Sequence, residues 1–254
     1  MRPLYLIKME EIKALSLFPE FATDRETPEA IAKKKAHERW IQKKFRSIGT
    51  EYSPNAFRAG KYGITRLSKY TGCLPHRFIT LQEVNAGGGS QVGILGFSYD
   101  YELDKLESNA GKYVQIMNKY LCMGEPDFSM RIGDTLGSIV SASVRSHNIA
   151  FYYQENGCSI IPTMKWADEP SYEVCFDGYE RGGVVLVSTM GTIRDERSQM
   201  YYKNGFNEML KRISPDAVIL YGEIKDWMTE LFPTQLEVRH IENEHISNLR
   251  RYGR

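Results

Sequence analysis

Three acidic residues of the sequence are candidates for acid–base chemistry because each lies in or just beyond an apolar run. Asp168 and Glu169 follow the run 158-CSIIPT-163, and Asp127 lies in the segment 124-GEPDFS-129. Carboxyl groups in such places can transfer a proton to or from a bound ligand, so these three are the candidate catalytic groups. The alternative is local: Asp168 and Glu169 can simply begin the next helix, and Asp127 can cap a turn.

Other side chains at the ends of predicted strands could hold a ligand. They are polar, aromatic or glycine residues, and the predicted ligand-binding positions are Asp100, Ser129, Lys165, Trp166, Ser188, Thr189, Gly191 and Tyr221. Ser188 and Thr189 could bind a phosphate where the following helix begins, or they could pair only with the backbone. Trp166 could stack on a base, or it could pack against the core.

The sequence assigns no cofactor. No histidine or cysteine pair has the spacing of a metal site, and we predict no metal centre from such motifs. Asp100, Asp127, Asp168 and Asp177 could gather around Mg²⁺ if the fold brought them together. The run 86-AGGGS-90 could wrap a phosphate, but it lacks the GK[ST] of a P-loop, and we predict the tip of a hairpin.

An alternation of strands and helices must position these residues. Apolar runs predict strands at 78–84, 92–99, 124–129, 158–163, 183–188, 217–221 and 236–240. Amphipathic or capped stretches predict helices at 27–48, 111–122, 135–156, 170–175 and 195–213, with Asp134 and Asp195 as caps of the last two long ones.

This alternation indicates an α/β fold, with a mostly parallel sheet flanked by helices. An open doubly wound sheet is the first choice, and a TIM-like or partial barrel is the second. In both architectures the carboxyl ends of the strands meet at one edge, where we expect the pocket.

The charge of the chain is divided unevenly. Residues 33–77 carry 12 lysines and arginines against two acids, although the whole chain has a net charge of only +1. We therefore predict a basic helical and loop-rich extension at 1–75, an α/β domain at 76–243 and a basic tail at 244–254.

The basic extension is a candidate nucleic-acid surface. Its aromatic residues alternate with cations, as in grooves that follow phosphates and stack bases. The residues predicted to bind nucleic acid are Lys43, Lys44, Arg46, Arg58, Lys61, Arg66 and Lys69. The alternative is that this basic face packs on the acidic remainder of the chain and balances its charge.

Three features predict a cytoplasmic protein without membrane contact. The four cysteines are far apart, the first residues lack the apolar core of a signal peptide, and no apolar run is long enough to cross a bilayer. The sequence does not define the oligomeric state.

Several ordered motifs resemble a family known as domain of unknown function 4417. The motifs are 125-EPDFS-129, Arg145, Gln154, 161-IPTMKWADEPSYEVCFDG-178, 184-VVLVSTMGT-192 and 217-AVILYG-222. The resemblance covers residues 95–225, and His147, Tyr153 and Ala167 stand where the family often has Arg, Trp and Ser. It implies a phage or mobile-element context, and it implies no reaction.

We therefore expect a phage or mobile-element protein that acts on or binds nucleic acid or nucleotides through a pocket at the carboxyl ends of parallel strands. Arg145 is the predicted anion clamp, and Gln154 is a further predicted ligand contact. The alternative is a non-catalytic binding module that sequesters a nucleotide or docks on a host protein. The sequence leaves enzyme activity open.

Overall fold

A computed structural model describes residues 56–85 and 87–242, together with the isolated positions Pro28, Ala32, Lys33 and Ala36. The chain divides into two units, Met1–Lys44 and Phe45–Arg254. The four described positions of the first unit are helical and exposed. The rest of the predicted helix at 27–48 lies outside the described residues, as does the predicted tail at 244–254.

The second unit is built mainly from parallel strands and helices. The strands are β1 Arg58–Ala59, β2 Ile64–Thr65, β3 Arg77–Ile79, β4 Gly89–Ile94, β5 Tyr120–Gly124, β6 Ile160–Ile161, β7 Thr163–Met164, β8 Val184–Ser188, β9 Ala217–Tyr221 and β10 Glu237–Ile241. The α-helices are α1 Asp100–Ser108, α2 Ala110–Met117, α3 Leu136–Glu155, α4 Tyr172–Cys175 and α5 Glu196–Ile213. Short 3-10 helices cover Leu81–Glu83, Glu169–Ser171 and Asp226–Leu231.

The parallel strands follow one another in chain order. One sheet has the order β3-β4-β5-β6, the other has the order β7-β8-β9-β10, and every neighbouring pair in both is parallel. Only Pro162 separates β6 from β7. The predicted mostly parallel α/β fold is therefore confirmed. Because the order never reverses as it does in a doubly wound sheet, it favours the second alternative, a partial barrel.

The strands are apolar on both faces because both faces are covered. On β8, Val184 and Leu186 belong to a cluster with Ile161 of β6 and Ile219 of β9. The alternate residues of β8 pack with the apolar side of α5, which contributes Tyr202, Phe206, Met209 and Ile213. Burial on both sides explains the continuous apolar runs that predicted these strands.

The two long helices begin at side-chain caps. The predicted cap of α5 is confirmed, since the Asp195 carboxylate accepts a hydrogen bond from the Ser198 backbone N–H at 2.7 Å. The predicted cap of α3 is wrong by one residue: the Thr135 hydroxyl accepts from the Ser138 N–H, whereas the Asp134 carboxylate accepts from the Arg131 N–H. The two capping bonds, from Ser198 to Asp195 and from Ser138 to Thr135, satisfy backbone N–H groups in the first turns of the helices that would otherwise have no partner.

The sequence misplaced the elements around β4 and β5. The predicted hairpin at 86–90 is wrong, because a 3-10 helix at Leu81–Glu83 carries the chain back and β3 pairs with β4 in parallel. The helix α1 was not predicted, and the strand predicted at 124–129 lies at Tyr120–Gly124 instead. Residues 125–129 are thus a loop beyond a strand end, which is where side chains can reach a ligand.

Residues 56–75 contact the α/β elements, although the sequence assigned them to the extension. The Leu67 N–H donates to the Gly178 carbonyl at 2.8 Å, and the Val184 N–H donates to the Tyr70 carbonyl at 2.9 Å. Ile64, Leu67 and Tyr70 are buried. This segment therefore forms part of the same unit as the sheets.

Candidate functional site

A cavity of about 400 Å³, here called the carboxyl-edge pocket, lies at the carboxyl ends of the strands. Its walls come from the segments that follow β4, β5, β7 and β8 and from the first turns of α5. Six predicted site residues line it: Asp127, Ser129, Lys165, Trp166, Ser188 and Gly191. Its volume is within the range of small-molecule sites.

Lys165 and Asp127 form an ion pair at the pocket. The Lys165 Nζ lies 3.4 Å from an Asp127 carboxylate oxygen, and it donates to the Ser146 hydroxyl at 2.6 Å and to the Phe128 carbonyl at 3.0 Å. Burial raises the pKa of Asp127, and the nearby ammonium group of Lys165 opposes that shift. The pair can therefore present both a proton donor and a carboxylate to a ligand.

Glu125 lies two residues before Asp127 and is fully buried, with 0% of its surface exposed. One carboxylate oxygen accepts from the Tyr179 hydroxyl at 2.8 Å and from the Thr163 N–H at 3.2 Å. The other oxygen, Oε1, has no hydrogen-bond partner in the part of the chain that the structure describes. Burial raises the pKa of Glu125 to about 7, although the charge of Lys165 acts in the opposite direction.

His147 of α3 faces this unpartnered oxygen. Its Nδ1 lies 2.7 Å from the Thr65 carbonyl, which can only accept, so Nδ1 carries the hydrogen of the neutral ring. Its Nε2 is then an acceptor, and it lies 3.7 Å from Glu125 Oε1. Burial lowers the pKa of His147 to about 3. A proton on Glu125 Oε1 thus points at a neutral imidazole, and a small approach would complete the hydrogen bond.

Together these groups form a buried cluster that interacts electrostatically with Lys165, a lining residue of the pocket. Glu125, His147 and Tyr179 are its members, and burial followed by the charge of Glu125 raises the pKa of Tyr179. Lys165 acts electrostatically on both Glu125 and His147, and it also lines the pocket. Lys165 therefore connects the cluster with any ligand in the pocket.

Trp166 packs against α5 as well as lining the pocket. Its indole N–H donates to the Tyr201 carbonyl at 3.2 Å, and its ring centroid lies 5.5 Å from that of Tyr202 and 6.0 Å from that of Phe176. Gly205 of α5 lies directly under the ring, so that a Cβ at this position would overlap the indole. These contacts support the packing alternative for Trp166.

Asp100 and Ser129 are brought together as a pair. The Asp100 carboxylate accepts from both the N–H and the hydroxyl of Ser129, each at 2.9 Å. Ser188 accepts from the Met190 N–H at 3.1 Å. Thr189 pairs with the backbone, since its N–H donates to the Tyr221 carbonyl at 2.9 Å. Tyr221 does not line the carboxyl-edge pocket. Its ring stacks on that of Phe97, which does line it, with 5.3 Å between the ring centroids.

Arg145 and Gln154 do not line the carboxyl-edge pocket. Arg145 donates to Asp104 and to Glu107, each at 2.6 Å, and its guanidinium lies 3.9 Å from the centre of the Phe128 ring. Two carboxylates already bind this guanidinium, so the structure does not place Arg145 as an anion clamp in the pocket. Gln154 exchanges two hydrogen bonds with the Ser68 backbone.

Asp168 and Glu169 lie at the start of a 3-10 helix, as the local alternative predicted. Asp168 accepts from the Gly133 N–H at 3.4 Å, and Glu169 is exposed. Neither lines the carboxyl-edge pocket. Of the three candidate catalytic acids, Asp127 is the one that does.

The four aspartates that could bind Mg²⁺ if the fold brought them together do not form one group in the described part of the chain. Asp100 binds Ser129, Asp127 pairs with Lys165, and Asp168 accepts from Gly133, while Asp177 lies beside Gly60. Across the described residues, no three potential ligands converge on a metal position.

The predicted nucleic-acid residues are only partly described. Lys43, Lys44 and Arg46 lie outside the described residues. Arg58 donates to the Thr65 hydroxyl and to Asn148 of α3, Lys61 lies 5.2 Å from the centre of the Tyr62 ring, and Arg66 is exposed. Lys69 is exposed, and its N–H donates to Glu180 at 3.1 Å.

Sequence reasoning missed Glu125, His147 and Tyr179. A signal existed for Glu125, because it directly follows the last residue of β5, as strand-end site residues do. His147 falls on the buried side of α3 together with Ser143, Ser146 and Ala150, a spacing that places it in the core. No comparable pattern marks Tyr179.

The fold and its main cavity define a class: a parallel α/β protein wound in chain order, with a pocket where such folds bind their ligands. The chain belongs to the family described as Domain of unknown function (DUF4417), whose model matches residues 56–239. The resemblance found in the sequence is therefore confirmed. No solved structure gives a significant match to the chain.

Two phage proteins are similar to this chain. The Gene 1 protein of Mycobacterium phage L5 is 26% identical over 129 residues, which cover 51% of this chain and 56% of the relative. The Gene 1 protein of Mycobacterium phage D29 is 27% identical over 129 residues, which cover 51% of this chain and 48% of the relative. The chain thus spans about half the length of the curated relatives it matches, and it is phage-associated.

No helix among the described residues combines the length and the apolar character that a bilayer crossing requires.

Proposed function

We propose that this phage-associated protein binds a nucleotide, either free or as part of a nucleic-acid strand, in the carboxyl-edge pocket. The observation that carries the proposal is the charge and composition of the pocket. The lining contains two cations, Lys165 and Arg131, and one carboxylate, Asp127, so that it has a net positive charge. The lining also includes hydroxyl groups and aromatic rings, among them those of Ser129, Ser198, Phe97 and Tyr201.

Each part of the lining matches one part of a nucleotide. Cations bind phosphate oxygens, hydroxyl groups exchange hydrogen bonds with a sugar or a base, and aromatic rings stack on a base. A volume of about 400 Å³ is enough for one nucleotide. Asp127 is the group we assign to proton transfer if the ligand is also converted, because it contacts the pocket and pairs with Lys165.

Calorimetric titration with nucleosides, nucleotides and a short single-stranded oligonucleotide tests the proposal. Arg131→Gln should weaken the binding of phosphorylated ligands by about tenfold, because a charge-assisted hydrogen bond contributes about 1.5–3 kcal/mol. Arg181→Gln is the matched control, since Arg181 is also exposed but donates to the Ser214 hydroxyl and does not line the carboxyl-edge pocket. Equal losses in the two variants, or no binding of any compound, would contradict the proposal.

A second candidate is a docking surface for a host protein, and exposed apolar side chains favour it. Tyr99 and Tyr101 are 70% and 63% exposed, and their rings stack 5.6 Å apart. Met190 is exposed at the pocket itself, and Met200 is exposed beside the lining residue Tyr201. Tyrosine and methionine are enriched at protein interfaces.

The docking candidate is tested with Tyr99→Ser combined with Tyr101→Ser. A host protein that binds the wild type should be purified and its dissociation constant measured against both forms. Loss of more than about tenfold in affinity supports docking, because aromatic residues at interfaces often contribute about 2 kcal/mol. Unchanged affinity for that protein excludes this surface as its binding site.

A further inference from the structure

A second cavity of about 340 Å³ lies between β3 and β10, the first and last strands of the parallel series. It is here called the β3–β10 cavity. One wall contains His76, Arg77 and Phe78, and the other contains Arg239–Glu242. It shares no lining residue with the carboxyl-edge pocket. It is therefore a separate site.

Two arginines line this cavity from opposite sides without a counterion. Within the described residues, neither Arg77 nor Arg239 has a hydrogen bond or an ion pair through its guanidinium group. Guanidinium groups remain charged at every pH a protein meets. Two like charges at one cavity repel each other. An anion between the two guanidinium groups would be attracted by both, and this attraction would offset their repulsion.

The acids of the cavity do not neutralise these arginines. Glu83 turns its carboxylate to its own turn, where it accepts from the N–H and the hydroxyl of Thr80, each at 2.7 Å. Glu242 has an interaction of its own, and it is not one with Arg77 or Arg239. With two arginines and two glutamates the lining has no net formal charge, but among the described residues neither arginine is paired with a carboxylate.

The strands on both sides of the cavity have open edges. In the described part of the chain, β3 pairs only with β4, and β10 pairs only with β9. Backbone N–H groups on an open strand edge are additional hydrogen-bond donors. Donors from the backbone and from two guanidinium groups are the combination that binds phosphate oxygens in proteins.

We propose that the β3–β10 cavity binds a phosphate group, held between Arg77 and Arg239. The planar guanidinium group donates two parallel hydrogen bonds to an oxyanion, and arginine is preferred over lysine where this geometry matters. A small phosphoester and the phosphodiester backbone of a nucleic acid both offer this chemistry. The site recognises the phosphate in either case.

The test is calorimetric titration of the full chain with inorganic phosphate at about 20 mM salt, where screening is weak. Arg77→Gln and Arg239→Gln should each weaken binding by about tenfold or more. Arg181→Gln should leave this binding unchanged, because Arg181 does not line the β3–β10 cavity. Thermal unfolding of each variant checks that it is folded.

The proposal is overturned if the wild type does not bind phosphate, or if the Arg77 and Arg239 variants bind it as well as the wild type does. It is also overturned if Arg131→Gln removes the binding, because the phosphate would then occupy the carboxyl-edge pocket. A short oligothymidylate distinguishes the sources of the phosphate. Tighter, salt-dependent binding that both arginine variants weaken identifies a nucleic-acid backbone, and binding no tighter than that of phosphate identifies a small phosphoester.

Discussion

At the scale of single residues, the main feature is a buried acid next to a neutral histidine. Glu125 is fully buried, and His147 is 1% exposed. The usual expectation for such a pair is an ion pair, but the Thr65 carbonyl fixes the hydrogen of the imidazole on Nδ1. The pKa of Glu125 is raised to about 7 and that of His147 is lowered to about 3. In mildly acidic solution the carboxyl group of Glu125 is therefore protonated, and the imidazole of His147 is neutral.

Replacing Glu125 by glutamine should make stability less sensitive to pH. A carboxyl group whose pKa is raised on folding stabilises the protein below its unfolded value, and this contribution is lost as pH rises through the folded value. Glu125→Gln should therefore resemble the wild type near pH 5. Near pH 8 the variant should be more stable than the wild type by on the order of 3 kcal/mol, because the pKa of Glu125 in the folded wild type is about 7 instead of the ordinary 4.5.

Urea unfolding of both forms between pH 5 and pH 8 measures this difference. His147 is present in both forms, so its own titration cancels in the comparison. A difference in the free energy of unfolding that stays constant across this range would show that Glu125 is ionised throughout.

Part of the site could be predicted from the sequence, because residues that directly follow parallel strands are expected at the same edge of the sheet. Asp127, Lys165 and Ser188 follow three different strands, and the parallel arrangement brings all three to one pocket. Glu125 and His147 could not be paired from the sequence, because their contact depends on how α3 lies against β5. The ion pairs of Arg145 could not be predicted, because its partners, Asp104 and Glu107, belong to the helix α1, which the sequence pattern did not indicate.

At the scale of elements, the contact between Trp166 and α5 positions one wall of the pocket. The indole lies on Gly205 and bonds the Tyr201 carbonyl, while Tyr201 itself lines the pocket. Glycine normally weakens a helix interior. Here its missing side chain allows the helix and the segment after β7 to approach closely.

Gly205→Ala should therefore destabilise the protein, although alanine favours helix formation. The added methyl group would overlap the indole, and overpacking of this kind costs roughly 1–3 kcal/mol. Gly111→Ala in α2 is the matched control, because an added Cβ there has no atom within 4 Å. The control should gain stability by about 0.5–1 kcal/mol. Thermal unfolding of the two variants measures both signs, and a gain in both would contradict the packing argument.

At the scale of the whole molecule, the alternation of strands and helices was sufficient to predict a parallel α/β protein. The sequence could not decide between a doubly wound sheet and a partial barrel, because the order of the strands depends on where each helix crosses the sheet. The hairpin at 86–90 was predicted because glycines between two close strands usually indicate a tight turn. A short 3-10 helix at Leu81–Glu83 overrides that signal and returns the chain for parallel pairing.

The chain-order arrangement of strands also matters during synthesis on the ribosome. Each strand of the series that leaves the exit tunnel after β3 finds its neighbour already formed and exposed at the growing edge of a sheet, or, for β7, continues directly from β6. No strand has to be inserted between two that are already paired, as a doubly wound order requires. The sheets can therefore assemble while translation continues. The wall that carries Arg239 is added last, so the β3–β10 cavity exists only once the nascent chain has emerged to the end of β10.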